Sequence, residues 1–402
     1  MQCSYFQQGI CRSCSQLDKP YHQTVTTKHH ALAALFPDVR IQDFRISEAA
    51  GARIRARIAI SGSIAAPEFG FLDQTRKLVA VDQCPLHHPR INGLIESLKP
   101  LIAEYRLHPW SVTTGKGELR HIIVTVSPLD GRMMLQFVLR SREAVDRIRS
   151  LWRCHRDNVL SSVDVLSVNL QPGRTSQLTG DTEIPISDSS EFRILYQLSE
   201  DQTSTDSNEA SAVGLYYGPQ SFVQTNHAVA TRLYCEARNI LQSHGCTRVL
   251  DVYCGVGAFS LLAIGGQNQD GRGVSIHGFD ISEDSIHCAQ RSAVAIKNLE
   301  THFEVADAAT CQATRTSFST DSNGSAFDAV ICNPPRRGLD EGVLQLLDRT
   351  PAPMVLYSSC NPMTLARDLV RLSGTYRFEQ LTPFDMFPFS EHMEVLAVGF
   401  AR

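Results

Sequence analysis

Residues 354–362, Met-Val-Leu-Tyr-Ser-Ser-Cys-Asn-Pro, put a thiol where chemistry can be done. Four apolar residues read as a strand. Two small hydroxyls and Cys360 follow, and Asn-Pro then turns the chain into a helix over Met363 to Leu372. A strand that stops this way delivers its last side chains to the rim of a sheet, where open α/β folds bind ligands. At a helix start the dipole would lower the Cys360 pKa and favour the nucleophilic thiolate. The competing reading is a small buried cysteine, one among twelve. Further on, His392-Met393-Glu394 precedes the apolar run Val395 to Phe400. Glu394 is then either an ordinary strand-end charge or, in a cleft, a carboxylate whose desolvation raises its pKa and makes it a base.

Phe327 to Gly338 reads as a buried strand ending in Asn333-Pro334-Pro335, a rigid turn that aims the Asn333 amide into a cleft. Methyltransferases acting on exocyclic amino groups carry an aromatic after Asn-Pro-Pro. Here Arg336 stands there, which disfavours amino methylation, and Arg336 and Arg337 suit phosphate or cofactor contacts. Upstream, Thr247 to Tyr253, the loop Cys254-Gly255-Val256-Gly257 and Ala258 to Ile264 read as strand, glycine loop and helix, as in nucleotide-binding folds. Asp280 ends a second strand, where it can accept from ribose hydroxyls, and Asp307 ends a third. This series fits a mononucleoside half-site for S-adenosylmethionine better than a dinucleotide site. The turn-rich stretch Gly218 to Asn226 leads into a helical pattern over Ala228 to Leu241. A helix start capped by Asn226 explains Thr225 and Asn226, but not Phe222 or Gln224.

The elements that hold these residues fit a chain of 402 residues, 43% of them apolar, long enough for two or three domains. Cys3, Cys11, Cys14 and the distant Cys84-Pro85 can close a tetrahedral or cubane metal site, and spacing alone leaves zinc and iron–sulfur both open. Unrelated surface cysteines are the alternative. Arg53 to Ile60 alternates strictly, with Arg53, Arg55 and Arg57 on one face and Ile54, Ala56, Ile58 and Ile60 on the other. The arginine face is a solvated exterior or a phosphate-binding stripe. Strands over His121 to Val126, Met133 to Arg140 and Val163 to Leu170, with basic residues between Lys116 and Arg156, make 15 to about 185 a mostly β domain. Ser199 to Ala212 reads as a polar loop or linker, and Gly265–Gly273 and Thr316–Ser325 as solvated insertions. The predicted divisions are 1–90 for the four-cysteine segment and the start of the β-rich domain, 91–212 for its remainder, and 213–402 for the catalytic domain. No apolar run is long enough to span a bilayer, and the first residues lack a signal peptide's pattern, so a cytoplasmic location is expected. With a net charge of −4, nucleic-acid binding must come from a local patch.

Taken together, the four-cysteine set, Gln-Ser-Phe-Val-Gln-Thr-Asn (220–226), Asp-Val-Tyr-Cys-Gly-Val-Gly (251–257), Asn-Pro-Pro-Arg-Arg-Gly (333–338), Ser-Ser-Cys-Asn (358–361) and His-Met-Glu-Val-Leu (392–396) resemble the RNA uracil-C5 methyltransferase family. The likeness is strongest to its bacterial 23S rRNA branch and covers nearly the whole chain. It implies an α/β fold: a C-terminal Rossmann-like S-adenosylmethionine-dependent methyltransferase domain plus an N-terminal mostly β domain carrying an iron–sulfur cluster. It implies a [4Fe-4S] cluster on Cys3, Cys11, Cys14 and Cys84. Cofactor contacts would come from Gln224, Tyr253, Asp280 and Asn333, with Cys360 as nucleophile and Glu394 as base. The expected substrate is 23S rRNA, with uridine 747 the expected site, and no membrane or obligate protein partner. That 23S rRNA branch has Phe and Glu where Tyr253 and Asp280 stand, and Phe-Arg-Asn-Lys where Ala52-Arg53-Ile54-Arg55 stands. A uridine of tRNA or another rRNA uridine is the alternative target, and a non-catalytic iron–sulfur RNA-binding protein the alternative class.

Overall fold

The computed structural model describes residues 1–73, 75, 77–111, 114–173, 177–198, 212–265, 273–307, 327–349 and 352–402. The loop expected at 199–212 and the insertions expected at 265–273 and 316–325 lie almost wholly outside the described residues. The chain forms two units that alternate along the sequence. One comprises Met1–Cys14, Glu48–Leu195 and Val223–His227; the other comprises Ser15–Ser47, Tyr196–Phe222 and Ala228–Arg402. No helix among the described residues is long and apolar enough to cross a membrane.

In the first unit the arginine–isoleucine alternation forms the strand Arg55–Gly62, with Ile54, Ala56, Ile58 and Ile60 buried as expected. It lies in a seven-stranded sheet ordered Leu78–Ala80, Pro67–Leu72, Arg55–Gly62, Leu119–Val126, Met133–Leu139, Val163–Leu170, Thr182–Pro185. Two helices, Pro89–Glu104 and Val145–His155, add Ile91, Leu98, Ile148 and Leu151 to its core, so the unit is β-rich but helix-backed. The arginine face is not uniform: Arg57 is exposed, Arg53 half-buried and Arg55 buried. Burial, then the charge of Arg57, brings the Arg55 pKa down to about 10, which makes it a poor candidate for an open phosphate stripe.

The second unit is built on an eight-stranded sheet ordered Arg40–Ile41, Tyr376–Phe384, Glu394–Ala401, Met354–Ser359, Ala329–Cys332, Arg248–Val252, Val274–Asp280, Leu299–Val305. All neighbours are parallel except around Glu394–Ala401, which is antiparallel to the strands on both sides. Strands covered on both faces read as continuous apolar runs, as Val330 to Cys332 and Val355 to Tyr357 do. The segment Ser15–Ser47, expected in the β-rich domain, belongs instead to this unit. Arg40 and Ile41 pair in parallel with Gln380 and Leu381, and the helix Tyr21–Leu35 places Leu32 in the core that holds Val355, Tyr357 and Leu369. The buried stripe of that helix is Thr24, Lys28 and Leu32. Only one of the three is apolar, so no hydrophobic periodicity announces the packing.

Candidate active site

The register of the sheet places the chemistry-bearing residues on one rim. Val252 pairs with both Phe279 and Cys332, and Cys332 pairs with Tyr357. Tyr253, Asp280, Asn333 and Ser358 therefore leave four adjacent strands at the same end, the carboxyl edge at which open α/β sheets bind ligands. The antiparallel strand starts where its neighbours stop. Its Val395 pairs with Ser359, and the negative charge of Glu394, the residue before it, reaches the thiol of Cys360, the residue after Ser359.

Glu394 is 2% exposed and accepts a hydrogen bond of 2.5 Å from the Ser358 hydroxyl. Burial pushes its pKa up to about 7, with Ser358 opposing, as expected of a carboxylate in a cleft rather than of an ordinary strand-end charge. A base with that pKa is half ionised near neutrality, where proton transfer is most effective. The thiol of Cys360 differs from expectation: burial first, then the negative charge of Glu394, pushes its pKa up rather than down. The following helix begins only at Pro362, and its cap is Asn361, whose side chain accepts the Met363 N–H at 3.2 Å. Cys360 thus precedes the cap and stands outside the first turn. The group favouring its thiolate is the Arg336 guanidinium. Backbone contacts fix that arginine, because its carbonyl accepts from the Asn361 amide at 3.1 Å and the Thr364 hydroxyl at 3.3 Å.

The glycine loop is held from both sides. Tyr253 has a φ of 62°, a left-handed conformation uncommon for an aromatic residue. Its hydroxyl donates to Asp340 at 3.1 Å and accepts the Asp340 N–H at 3.1 Å, and Asp340 is paired with Arg337 at 3.1 Å. Asp280 accepts the Gly255 N–H at 3.0 Å on one oxygen and the Ser282 N–H at 2.9 Å on the other. At Gly278 a Cβ would lie 2.5 Å from the Phe303 ring, so only glycine lets the second strand pass there. Beneath the Asn-Pro-Pro turn, Asp368 is 1% exposed and accepts from the Leu339 N–H and the Tyr357 hydroxyl, each at 2.8 Å. Ser358, Asp340 and Asp368 were not among the expected site residues. Ser358 could have been found from its place beside Cys360, whereas nothing in the local pattern marks Asp340 or Asp368.

The remaining expected residues belong to the first unit. Gln224 is 7% exposed; beside it, the Thr225 carbonyl accepts the Ile54 N–H at 2.8 Å and Asn226 bridges to Arg53. The four cysteines are all half-buried. Burial, then the thiols of Cys84, Cys11 and Cys3 in that order, pushes the Cys14 pKa up to about 12, while Arg53 lowers it. Cys14 therefore feels the other three thiols, and four thiols are a donor set that a thiolate-bound metal centre can use. The N-terminal turn is anchored where Cys84 sits: the Tyr5 hydroxyl donates to Asp82 at 2.8 Å, and Asp82 is paired with Lys99 at 2.5 Å.

Comparison with known proteins agrees with this geometry. The sequence profile of the tRNA (uracil-5-)-methyltransferase family matches residues 210–398. The chain is 33% identical over 403 residues to the 23S rRNA (uracil(747)-C(5))-methyltransferase RlmC of Shewanella loihica, covering 99% of this chain and 98% of that protein. The protein of the same name from Serratia proteamaculans is also 33% identical, over 401 residues and 99% of both chains. Among solved structures, the Pyrococcus abyssi tRNA (uracil-54, C5)-methyltransferase in complex with S-adenosyl-L-homocysteine matches with a TM-score of 0.74 and 26% identity, over 96% of this chain and 85% of that one. With its relatives matched end to end and a thiol and a carboxylate close together at the rim of the sheet, the chain belongs to the RNA uracil-C5 methyltransferase family and is an S-adenosylmethionine-dependent enzyme.

Proposed function

We propose that this enzyme methylates carbon 5 of one uridine in 23S rRNA, uridine 747, with Cys360 as nucleophile and Glu394 as base. The target is the one carried in the names of the relatives that match end to end. The observation that carries the mechanism is the buried Glu394 at the rim, bonded to Ser358 and close enough to Cys360 for its charge to be felt there, with Arg336 favouring the thiolate.

Carbon 5 of uracil is too weak a nucleophile to take a methyl group unaided. Addition of the Cys360 thiolate to carbon 6 makes carbon 5 an enolate carbon, which splits one hard step into two easier ones. S-adenosylmethionine, when bound, supplies the methyl group as an electrophile, and its contacts would come from Gln224, Tyr253, Asp280 and Asn333. Glu394 then takes the proton from carbon 5. The electrons of that C–H bond form the 5,6 double bond and expel the Cys360 thiolate from carbon 6. The base must leave its stack to reach the rim, so the substrate is a loop or locally opened RNA.

In this reading Cys360 and Glu394 both belong to the second unit, and the basic residues of the first contact RNA. Arg57 and the exposed Arg142, Arg153 and Arg156 would touch the phosphate backbone. Cys3, Cys11, Cys14 and Cys84 would hold a [4Fe-4S] cluster with a structural or RNA-positioning role. The influence of the other three thiols on Cys14 supports this, as does Arg53, whose charge favours the thiolates of Cys14 and Cys84.

The deciding experiment incubates the enzyme and S-adenosylmethionine with 5-fluorouracil-substituted 23S rRNA fragments. Fluorine cannot leave as a proton does, so the expected product is a covalent protein–RNA adduct on the Cys360 peptide. Intact rRNA methylation without any adduct would overturn the mechanism. Adducts with tRNA and none with 23S rRNA would overturn the target.

A further inference from the structure

Lys28 is buried on the helix Tyr21–Leu35, 2% exposed, and is paired with Asp385, which is fully buried. Its ammonium group has three protons, and three acceptors meet it: Asp385 Oδ1 at 2.5 Å, the Phe387 carbonyl at 3.1 Å and the His392 carbonyl at 2.7 Å. Asp385 and His392 are the two ends of the loop that joins the strand Tyr376–Phe384 to the strand beginning with Glu394. One cation therefore cross-ties both arms of that loop, two residues before the carboxylate.

The same stretch of chain grips the loop at three further points. The Tyr21 hydroxyl donates to the second Asp385 oxygen at 2.5 Å. The Tyr21 ring packs on Phe389 with centroids 5.2 Å apart, and the Gln16 N–H donates to the Phe389 carbonyl at 3.1 Å. Phe389 has a φ of 57°, so the loop turns through a conformation its own residues do not favour. An unpaired buried ammonium or carboxylate would be costly, so removing either partner lets the loop move.

We propose that Lys28 is a positioning residue for proton removal: by tying the Asp385–His392 segment it holds Glu394 against Ser358 and beside Cys360. This rests on the assignment of Glu394 as base. The mechanism gives it a specific signature, because Cys360 addition and methyl transfer precede the step that Glu394 performs. A displaced base should stall the reaction at the covalent adduct, and a misplacement of about 1 Å can cost roughly 10²-fold in rate.

The test compares Lys28→Met and Glu394→Gln on ordinary uracil-containing RNA and on 5-fluorouracil RNA, with melting and S-adenosylmethionine binding measured alongside. For Lys28→Met the expected result is a kcat lowered about 10²-fold with KM for RNA nearly unchanged. Cofactor binding and 5-fluorouracil trapping should persist, and adduct should accumulate on ordinary RNA as it does for Glu394→Gln. Near-normal turnover by Lys28→Met, or parallel loss of trapping and cofactor binding, overturns the proposal and leaves the base assignment standing. Normal turnover by Glu394→Gln overturns the base assignment, and the proposal with it. If Lys28→Met does not fold, Lys28→Met/Asp385→Asn removes both buried charges and is judged by the same outcomes.

Discussion

Glu394 combines a full burial that costs stability with the pKa that its chemistry requires. Its folded pKa of about 7 lies above the ordinary glutamate value of 4.5. The folded state thus holds the proton more tightly than the unfolded chain. The group's contribution to stability falls as pH rises from 4.5 to about 7 and is level above that. Glu394→Gln should therefore stabilise the protein at pH 8 by on the order of 1–3 kcal/mol, with the gain fading toward pH 4.5, as denaturation at a series of pH values would show. The same variant should accumulate covalent RNA adduct because elimination stalls. In the parent enzyme, kcat should rise with pH through about 7 as the carboxylate ionises. A flat profile from pH 6 to 8 would remove Glu394 from the rate-limiting proton transfer. Cys360→Ala should abolish turnover while leaving S-adenosylmethionine binding nearly intact; equal loss of both would make the cysteine structural. At this scale the sequence was informative wherever a reactive side chain follows an apolar run and precedes a breaker, as at Cys360-Asn361-Pro362. It misled on the thiol's pKa, because burial and an opposing carboxylate are products of the fold and outweigh a helix start that lies two residues on.

Between elements, the rim is held by side chains that reach from one connection to the next. The Tyr253 hydroxyl ties the glycine loop to Asp340, and Asp368 ties the helix Pro362–Leu372 to Leu339 and Tyr357. Tyr253→Phe loses a half-buried bridge and should cost about 1 kcal/mol. Asp368→Ala leaves a buried N–H and a buried hydroxyl without their acceptor, at about 1–3 kcal/mol for each. Thermal melts of the two variants should rank them in that order, and the reverse ranking would mean that the Asn-Pro-Pro turn does not depend on Asp368. Strand and glycine-loop positions were legible because period and punctuation reveal them. These cross-ties were not, since an aspartate inside a helix reads as a solvated residue until its neighbours are known. Lys28 is the extreme case: on the helix Tyr21–Leu35 its neighbours on the buried stripe are Thr24 and Leu32, a pattern closer to a surface than to a core.

At the scale of the molecule, the two units are threaded through each other in sequence rather than strung end to end. A fragment of residues 213–402 contains every expected catalytic residue but lacks the helix Tyr21–Leu35 and the edge strand Arg40–Ile41. It should therefore fail to melt cooperatively. Adding a peptide of residues 15–47 in trans should restore a transition, and a well-folded fragment without the peptide would show the segment to be dispensable. The expected boundary at 213 follows a change in composition, and composition carries no record of a segment that returns to a distant sheet. The same threading orders events on the ribosome. The lysine-bearing helix and its edge strand emerge early, while the strand Tyr376–Phe384 and the loop they grip emerge near the end, just ahead of the strand Glu394–Ala401. At about 5–20 residues per second, the N-terminal segment waits tens of seconds for its partners. During that wait a lysine and a leucine destined for burial face solvent or a chaperone, so the catalytic sheet can be completed only after nearly all of the chain has been translated.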